Sequence, residues 1–440
     1  MRSHLRRSRV LLITVAFVWA LALHPDAAGA TYTGVQDTTT FGTVAAGGGW
    51  IVVPQYAEDN DPGEIDGTPF SDTTSSLEVA RASGPRQISF RSVSASYSVT
   101  MGPMLLAGAE HVLAVAWTDS AGTGQIDSAV LNSHGDLPNP LTRTGAPIDD
   151  SLRLSAGPDG GYALSWRDGT GEHALAASAG AQVPAPLLGP DVQLAPTDQV
   201  VLSGDDSLWL VNDAAGGISA TPAVFGQDTT PDAVTIGEAL DVTTVGDDAG
   251  GLWVLARDSR GWFAAHLARD GRLASTPLPS DAAHPVIALA GTTAVVAYRA
   301  GHRCATYVQR IASTATPATA STRTDLTPGA SSCSTPTAIA VDPASRTAYV
   351  LTSSNGGTIL TTESATRSTN RWPGSLRERI DAIVALGSNR VVVESNGPRR
   401  DIGEQCGGAA DSLRQWYLVR VFHGASLERS GELEASVMNC

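Results

Sequence analysis

The sequence predicts an all-β fold in which small sheets repeat along the chain and form a closed array. Residues 245–273 hold one complete repeat, in which a Gly/Asp turn leads into an apolar run, a second turn and a second apolar run. The pair Asp270-Gly271 then provides a two-residue hairpin signal. Looser copies recur about every 45 residues. Because 440 residues exceed one ordinary hydrophobic core, the chain is either several domains or an array, and the repeats favour the array.

A column of aromatic residues appears when the copies are aligned on their second strands. Its members, at intervals of 49, 43, 44, 45 and 51 residues, are Trp117, Trp166, Trp209, Trp253, Tyr298 and Tyr349. The segment 390–394 with Val392 continues the series, and 49–53 with Trp50 precedes it, which makes eight copies. These positions lie within apolar runs, so we expect the rings to pack in the core between sheets rather than to form a sugar-stacking platform.

A period near 45 residues with about four short strands per copy is typical of a β-propeller blade. Runs such as 208–211 and 252–255 are apolar on both faces, as expected for sheets packed between neighbours. We also expect a strand over 380–386, because the repeat register requires one there. Tandem β-sandwich domains are the alternative, although they would not produce a 45-residue register. We predict one β-propeller over residues 31–440 with about eight four-stranded blades, or seven if the first and last partial copies combine.

The repeats resemble the broad β-propeller superfamily. The best copy, Gly-Asp-Asp-Ala-Gly-Gly-Leu-Trp-Val at 246–254, is similar to blade motifs of bacterial regulatory and surface propellers. The resemblance extends over about residues 35–435 as a period and implies the fold, but it carries no catalytic motif to this chain.

Residues 1–30 have the features of a cleaved signal peptide. Four arginines precede the apolar segment 10–23, and Ala28-Gly29-Ala30 supplies the small residues that signal peptidase needs. The apolar segment has 14 residues, fewer than the roughly 20 of a spanning helix. We therefore predict cleavage after Ala30, secretion to the extracellular space and no membrane span after cleavage. An uncleaved membrane anchor is the alternative.

The charge of the chain argues against nucleic acid as a partner. The formal charge is −15, and because residues 1–30 contain four arginines and one aspartate, the remaining chain carries −18. A phosphate backbone attracts basic surfaces. The basic residues are all arginine, which rules out lysine Schiff-base chemistry and, with the abundant Ala and Gly, is typical of a high-GC bacterial gene. We expect a monomer whose ligand is a protein or a carbohydrate.

Four cysteines remain after cleavage, and in an exported protein they are most simply two disulfides. Three pairings are open. Proximity in sequence favours Cys304 with Cys333 and Cys406 with Cys440. A metal site is the alternative, but no CxxC or HxxxH spacing accompanies these cysteines.

Two insertions interrupt the repeat after the second strand of the first and last copies, at 56–76 and 396–413. In a propeller, such connections emerge on one face, and the first and last blades are neighbours. We therefore predict a combined binding surface in which Asp59, Asp61, Glu64 and Asp66 face Arg399, Arg400, Asp401 and Glu404, steadied by a disulfide at Cys406.

The first insertion also has partial calcium-loop spacing. Glu58, Asn60, Gly63 and Asp66 match positions 1, 3, 6 and 9 of such a loop, but Pro62 occupies position 5, where a ligand belongs. The calcium candidates are Glu58, Asp59, Asn60, Asp61 and Asp66. The alternative is a solvated acidic loop without a metal, and we assign no other cofactor.

The sequence contains no nucleophile elbow, zinc-binding helix or phosphate loop, and its histidines are dispersed. The acidic pairs Asp149-Asp150, Asp205-Asp206 and Asp247-Asp248 could serve glycosidic chemistry, but their place in recurring turns indicates turn formers. We therefore assign no catalytic residue and expect a non-catalytic binding module. The alternative is an extracellular carbohydrate-active hydrolase or lyase with carboxylates at the channel.

Overall fold

The computed structural model describes twenty segments of the chain. In places, including 58–65 and 398–401, it describes the backbone but not the side chains. The segments are 36–65, 68–93, 101–119, 125–137, 141–144, 151–169, 171–177, 185–186, 198–204, 207–214, 217–224, 232–302, 304–314, 323–326, 333–354, 357–364, 369–371, 379–401, 413–424 and 426–439. All their regular structure is strand, and they contain no helix of the length and apolarity that a membrane span requires.

The strands form eight antiparallel blades, so the all-β propeller prediction is confirmed and the sandwich alternative is wrong. A single strand, β1 (Gln36–Phe41), precedes the blades. Blade 1 consists of β2 (Ala45–Gly47), β3 (Trp50–Ile65), β4 (Thr68–Arg81) and β5 (Arg91–Val93). Blade 2 consists of β6 (Met101–Ala109), β7 (Val112–Asp119), β8 (Gln125–Val130) and β9 (Leu141–Thr144). Blade 3 consists of β10 (Arg153–Ala156), β11 (Tyr162–Asp168), β12 (Gly171–Ala177) and β13 (Ala185–Pro186).

The remaining five blades follow the same order of strands. Blade 4 consists of β14 (Asp198–Ser203), β15 (Ser207–Ala214), β16 (Gly217–Val224) and β17 (Val234–Gly237). Blade 5 consists of β18 (Val242–Gly246), β19 (Leu252–Asp258), β20 (Gly261–Leu267) and β21 (Leu273–Pro277). Blade 6 consists of β22 (Ala283–Ala290), β23 (Thr293–Ala300), β24 (Ala305–Ile311) and β25 (Arg323–Asp325). Blade 7 consists of β26 (Thr335–Val341), β27 (Ala348–Ser354), β28 (Gly357–Glu363) and β29 (Thr369–Arg371). Blade 8 consists of β30 (Arg379–Gly387), β31 (Arg390–Asp401), β32 (Leu413–His423) and β33 (Ser426–Asn439).

The first strands of the blades form the innermost ring. Each contacts the first strand of the next blade, from β2 and β6 round to β30, which contacts β2 again. The ring is therefore closed with eight blades, and the seven-blade alternative is wrong. The strand predicted at 380–386 is the first strand of blade 8.

Ring closure uses an arrangement that the repeats did not indicate. Blade 1 and blade 8 each have their own four strands, and β1 joins them into one nine-stranded sheet by pairing with both β33 and β3. Further contacts reinforce the junction. The carboxylate of Glu394 accepts the backbone N–H of Val44 at 2.9 Å, and Ser430 exchanges backbone hydrogen bonds with Ile88 and Arg86. Blades 1 and 8 are thus hydrogen-bonded as well as packed.

The turns between first and second strands confirm the predicted role of aspartate. Asp247 Oδ1 accepts the N–H groups of Ala249 and Gly251 at 2.9 and 2.8 Å. Asp342 holds the equivalent turn of blade 7 through the N–H groups of Ala344 and Ser345. A short carboxylate can satisfy the N–H groups of a tight reversal, so these residues form turns. The turn at Asp270-Gly271 is one residue longer than predicted, because Ala268 donates its N–H to the carbonyl of Arg272.

The aromatic column lies in the core between blades, as predicted, since each of its rings is buried. The rings do not, however, occupy equivalent positions. Trp50, Trp209, Trp253 and Tyr349 pack toward the next blade, whereas Trp117, Trp166 and Tyr298 pack toward the preceding one. Two interfaces therefore hold two rings each: Trp50 with Trp117 between blades 1 and 2, and Trp253 with Tyr298 between blades 5 and 6.

Candidate functional site

The two insertions extend the blades as long hairpins. The first lengthens β3 and β4 to 16 and 14 residues, compared with 7 in the corresponding β19 and β20 of blade 5. The second lengthens β31 to 12 residues and continues at the start of β32. Both extensions lie on the face of the ring where second strands turn into third strands.

One row of paired residues crosses the sheet from one insertion to the other. Its successive partners are Asp401, Leu413, Val437, Thr38, Glu58 and Thr73. At a strand spacing of about 4.8 Å, Asp401 and Glu58 are about 19 Å apart along this row. The sheet therefore brings the insertions into one continuous surface, with β32, β33 and β1 between β31 and β3.

The predicted binding residues can be placed only in part. Arg399, Arg400 and Asp401 lie at the end of β31, and Glu64 lies near the end of β3. Their side chains, and all of Glu404, lie outside the described part of the chain. The facing of acidic and basic side chains therefore stays a prediction.

The calcium candidates can likewise be placed only in part. Glu58, Asp59, Asn60 and Asp61 lie in β3, where Glu58 to Asp61 pair with Thr73 to Phe70, but their side chains are not described. Asp66 lies outside the described residues. The hairpin pairing differs from the loop that was expected, and calcium binding stays a prediction. Elsewhere in the described segments, no three His, Cys, Asp or Glu side chains group as metal ligands would.

One predicted disulfide is confirmed. Cys304 and Cys333 are bonded, with Cα atoms 4.6 Å apart. Cys304 lies in the turn before β24, and Cys333 lies just before β26, so the bond ties blade 6 to the start of blade 7. Ser334 strengthens this contact by donating its N–H to the carbonyl of Cys304 at 3.1 Å. The pair Cys406–Cys440 lies outside the described residues.

Carboxylates approach one another on the opposite face, where first strands turn into second strands. Burial raises the pKa of Asp248 above its usual value, and the negative charges of Asp247, Asp159 and Glu110 raise it further. These residues come from the turns of blades 2, 3 and 5. This face is therefore acidic over that arc of the ring. The paired residues Asp149-Asp150 and Asp205-Asp206 lie outside the described part.

A buried Asp–His pair was missed by sequence reasoning. His266 Nε2 and Asp247 Oδ2 are 2.7 Å apart, and both side chains are buried. His266 lies directly opposite Trp253 in the hairpin of β19 and β20, and their ring centroids are 4.8 Å apart. The register of this hairpin, counted from its turn at Asp258–Gly261, would have placed His266 beside the turn that contains Asp247.

A partly buried ion pair was also missed. Arg310 of β24 binds the carboxylate of Glu363 in β28, with Nη2 2.5 Å and Nε 3.1 Å from Oε2. Arg310 Nη2 also donates to the carbonyl of Arg346 at 2.8 Å. The pair joins blades 6 and 7, and a sequence separation of 53 leaves no local signal in the sequence.

No protein-family model matches this chain, and no curated protein matches it in sequence. Solved structures similar to it include one from a study of two prolyl endopeptidases, at 12% identity and a TM-score of 0.49, covering 88% of this chain and 54% of that one. The β-propeller domain of the Trilobed protease from Pyrococcus furiosus has 9% identity and a TM-score of 0.45, covering 72% and 95%. Virginiamycin B lyase from Staphylococcus aureus has 10% identity and a TM-score of 0.40, covering 78% and 96%.

The chain spans about half the length of the prolyl endopeptidase. No activity is carried over from these neighbours. The four-stranded blades follow one another around a closed ring of first strands, and this arrangement defines the fold. The chain is an eight-bladed β-propeller.

Proposed function

We propose that this protein is a secreted, non-catalytic binding module whose working face carries the insertions 56–76 and 396–413. The observation that carries the proposal is the row of paired residues from Asp401 to Thr73, which joins both insertions in one sheet. A ligand surface needs groups held in fixed positions on a rigid scaffold. The ligand is a protein or a carbohydrate.

The composition of the insertions supports a polar ligand. The first is rich in acidic residues and the second brings Arg399 and Arg400. Charges of both signs on one surface contribute more to the specific orientation of a partner than to the strength of binding. The hairpins are held at their base by β1, because Thr38 pairs with both Glu58 and Val437.

The test is a shortened first hairpin. Glu58 pairs with Thr73, so residues 59–72 can be replaced by Asn-Gly, which closes a two-residue hairpin. This variant keeps the pairing of β1 with β3. Immobilised wild-type and shortened proteins are compared for ligands from the culture medium of the source cells and for binding to a polysaccharide panel.

We expect at least one ligand that binds the wild type and is lost by the shortened variant. The matched control is Arg260→Ser, which changes an exposed residue in the corresponding turn of blade 5 and should keep the ligand. Equal binding by all three proteins, with unchanged melting temperatures, would contradict the proposed face.

Secretion is the second part of the proposal. The disulfide Cys304–Cys333 supports an oxidising compartment, and the apolar segment 10–23 supports export. Mass spectrometry of the protein recovered from the medium should give Thr31 as its first residue. A protein that keeps residues 1–30 and stays in the cell membrane would contradict secretion. Light scattering of the same sample should give the mass of a monomer.

Calcium binding by Glu58, Asp59, Asn60, Asp61 and Asp66 is a separate proposal about the first insertion. Oxygen ligands suit this hard cation. Calorimetric titration of the secreted protein with calcium should give heat that is lost on changing Asp59 and Asp66 to Ala. The absence of heat with the unchanged protein would contradict it.

A carbohydrate-active hydrolase or lyase is the second candidate function. The carboxylates of the turns of blades 2, 3 and 5, which share one face of the ring, support it. Partial burial and the charges of Asp247, Asp159 and Glu110 raise the pKa of Asp248, the direction that a general acid needs. Turnover of a polysaccharide that Asp248→Asn abolishes would favour this function over binding alone. No turnover across the panel would leave binding as the only proposal.

A further inference from the structure

The junction of blades 8 and 1 gathers arginines in a chain whose formal charge is −15. Arg86 lies between the ends of β4 and β5, and blade 8 contributes Arg390 and Arg429. The guanidinium groups of the flanking Arg81 and Arg91 instead bind the carbonyl of Ser133 and the carboxylate of Asp136 in blade 2. The connection from β4 to β5 lies on the face of the first turns, since Ala82 donates its N–H to the carbonyl of Gly49 at 2.9 Å. This is the face opposite the insertions, so a site here is independent of the proposed function.

Two of the guanidinium groups converge on the same stretch of backbone. Arg429, which is 4% exposed, donates Nε–H to the carbonyl of Pro85 at 2.6 Å and Nη1–H to that of Arg81 at 2.7 Å. Arg390 donates from Nη1 to the carbonyl of Ala82 at 3.5 Å. Because the carbonyls of Arg81 and Ala82 are consecutive, the two cations are held close together.

No carboxylate is hydrogen-bonded to either guanidinium within the described segments. Burial lowers the pKa of Arg429, Glu428 raises it to a smaller extent, and the positive charge of Arg390 lowers it further. Placing two like charges together in a partly buried site is unfavourable unless an opposite charge offsets them. The junction therefore has an excess of positive charge.

Arg390 and Arg86 retain free donors. With Nη1 of Arg390 turned toward Ala82, its Nε and Nη2 have no hydrogen-bond partner among the described residues. These two nitrogens form one edge of the guanidinium fork, which matches two oxygens of an oxyanion. Arg86 is exposed, and its carbonyl accepts the N–H of Ser430 at 2.9 Å, which fixes its backbone beside Arg429.

We propose that Arg390 and Arg86, positioned by the contacts of Arg429 with the loop after β4, bind an oxyanion such as a sulfate or phosphate group. The group is either a free ion or an ester on an anionic polymer. Because Arg390 Nε is shielded from solvent and Nη1 contacts the carbonyl of Ala82, binding at the Nε edge requires the exposed residues 83–86 to move.

The test is calorimetric titration of the secreted protein with inorganic sulfate, inorganic phosphate and dextran sulfate at constant ionic strength. The site variant is Arg86→Gln with Arg390→Gln, which leaves Arg429 in place. The control variant is Arg260→Gln with Arg272→Gln, which removes the same charge from blade 5, where these side chains are 89% and 81% exposed. Thermal unfolding confirms that each variant is folded.

We expect the site variant to lose at least tenfold in affinity and the control variant to keep the wild-type affinity. Binding of the free ions identifies a small anion, and binding of dextran sulfate alone identifies a polymer ester, so either result supports the site. Equal loss in the two variants, or no heat with any of the three probes, would overturn it.

Discussion

His266 and Asp247 are paired through Nε2 and Oδ2 at 2.7 Å within blade 5. Asp247 shapes the turn 247–251, and blade 4 holds that turn through three donors. Gly204 N–H and Ser203 Oγ donate to the carbonyls of Asp247 and Gly251, each at 2.7 Å. Trp209 Nε1 donates to the carbonyl of Gly250 at 3.1 Å. One carboxylate therefore orders the backbone through which two blades are joined.

Asp247→Asn should destabilise the fold by about 2–4 kcal/mol, because the amide presents an N–H group where the buried site supplies donors. The measurement is urea denaturation of the secreted protein. Asp270→Asn is the control, since Asp270 shapes an exposed turn and should change stability by less than about 0.5 kcal/mol. Equal effects of the two substitutions would show that the buried pair has no special role.

The same carboxylate should make stability depend on acid. Burial raises the pKa of Asp247, but hydrogen bonds from His266, Gly251 and Ala249 and the charge of His266 together lower it below the usual value. A lowered pKa in the folded state adds stability above the pKa of the unfolded chain, about 3.9, and this is lost as pH falls through the folded-state pKa. The stability difference between wild type and Asp247→Asn should therefore shrink below about pH 4, as measured by denaturation between pH 6 and pH 3.

Neighbouring first strands approach so closely that Gly246 cannot carry a side chain. A Cβ atom there would overlap the carbonyl oxygen of Leu202 in blade 4. Gly246→Ala should therefore cost about 2 kcal/mol or more in unfolding free energy. Gly169→Ala is the matched control, because nothing lies within 4 Å of the added atom and the change should be near zero or slightly stabilising. A stable Gly246→Ala variant would mean that blades 4 and 5 can separate.

The sequence was sufficient for the blade architecture because turns and second strands carry local signals. The turns at 157–161, 246–251 and 342–344 lie between first and second strands, as the Gly and Asp residues predicted. Orientation of the aromatic rings was not predictable from spacing alone. Alternate residues in a strand point to opposite faces, and the turn before the second strand has five residues before β19 but two before β23. Residues about 45 positions apart in successive blades therefore do not always point to the same face of their sheets.

Contacts that join distant parts of the chain were missed for a different reason. β1 pairs with β33, and Glu394 binds Val44 across 350 residues, so neither contact leaves a local pattern. No pattern in the sequence singled out Arg86, because its place beside Arg390 and Arg429 depends on the closed ring. The insertions were predicted as loops, whereas their described parts continue the strands because β1 supplies a pairing partner at their base.

The disulfide Cys304–Cys333 should contribute about 3–4 kcal/mol, since it closes a loop with a sequence separation of 29. Cys304→Ser with Cys333→Ser should lower the denaturation midpoint accordingly. Cys406→Ser with Cys440→Ser is the companion variant, and reductant should lower its stability to the same level as removal of all four cysteines. An unchanged midpoint in the Cys304→Ser, Cys333→Ser variant would show that the bond does not constrain the unfolded chain.

The placement of the rings predicts which aromatic residues are energetically coupled. Trp253 and Tyr298 lie in one cluster between blades 5 and 6, whereas Trp209 lies in the cluster between blades 4 and 5. Substituting Trp253→Leu and Tyr298→Leu singly and together should give a coupling energy of at least about 0.5 kcal/mol, because residues that share a packed cluster are not additive. The cycle of Trp209→Leu with Tyr298→Leu is the control and should be additive within about 0.5 kcal/mol. Additivity in the first cycle, measured by urea denaturation, would contradict the assignment of both rings to one interface.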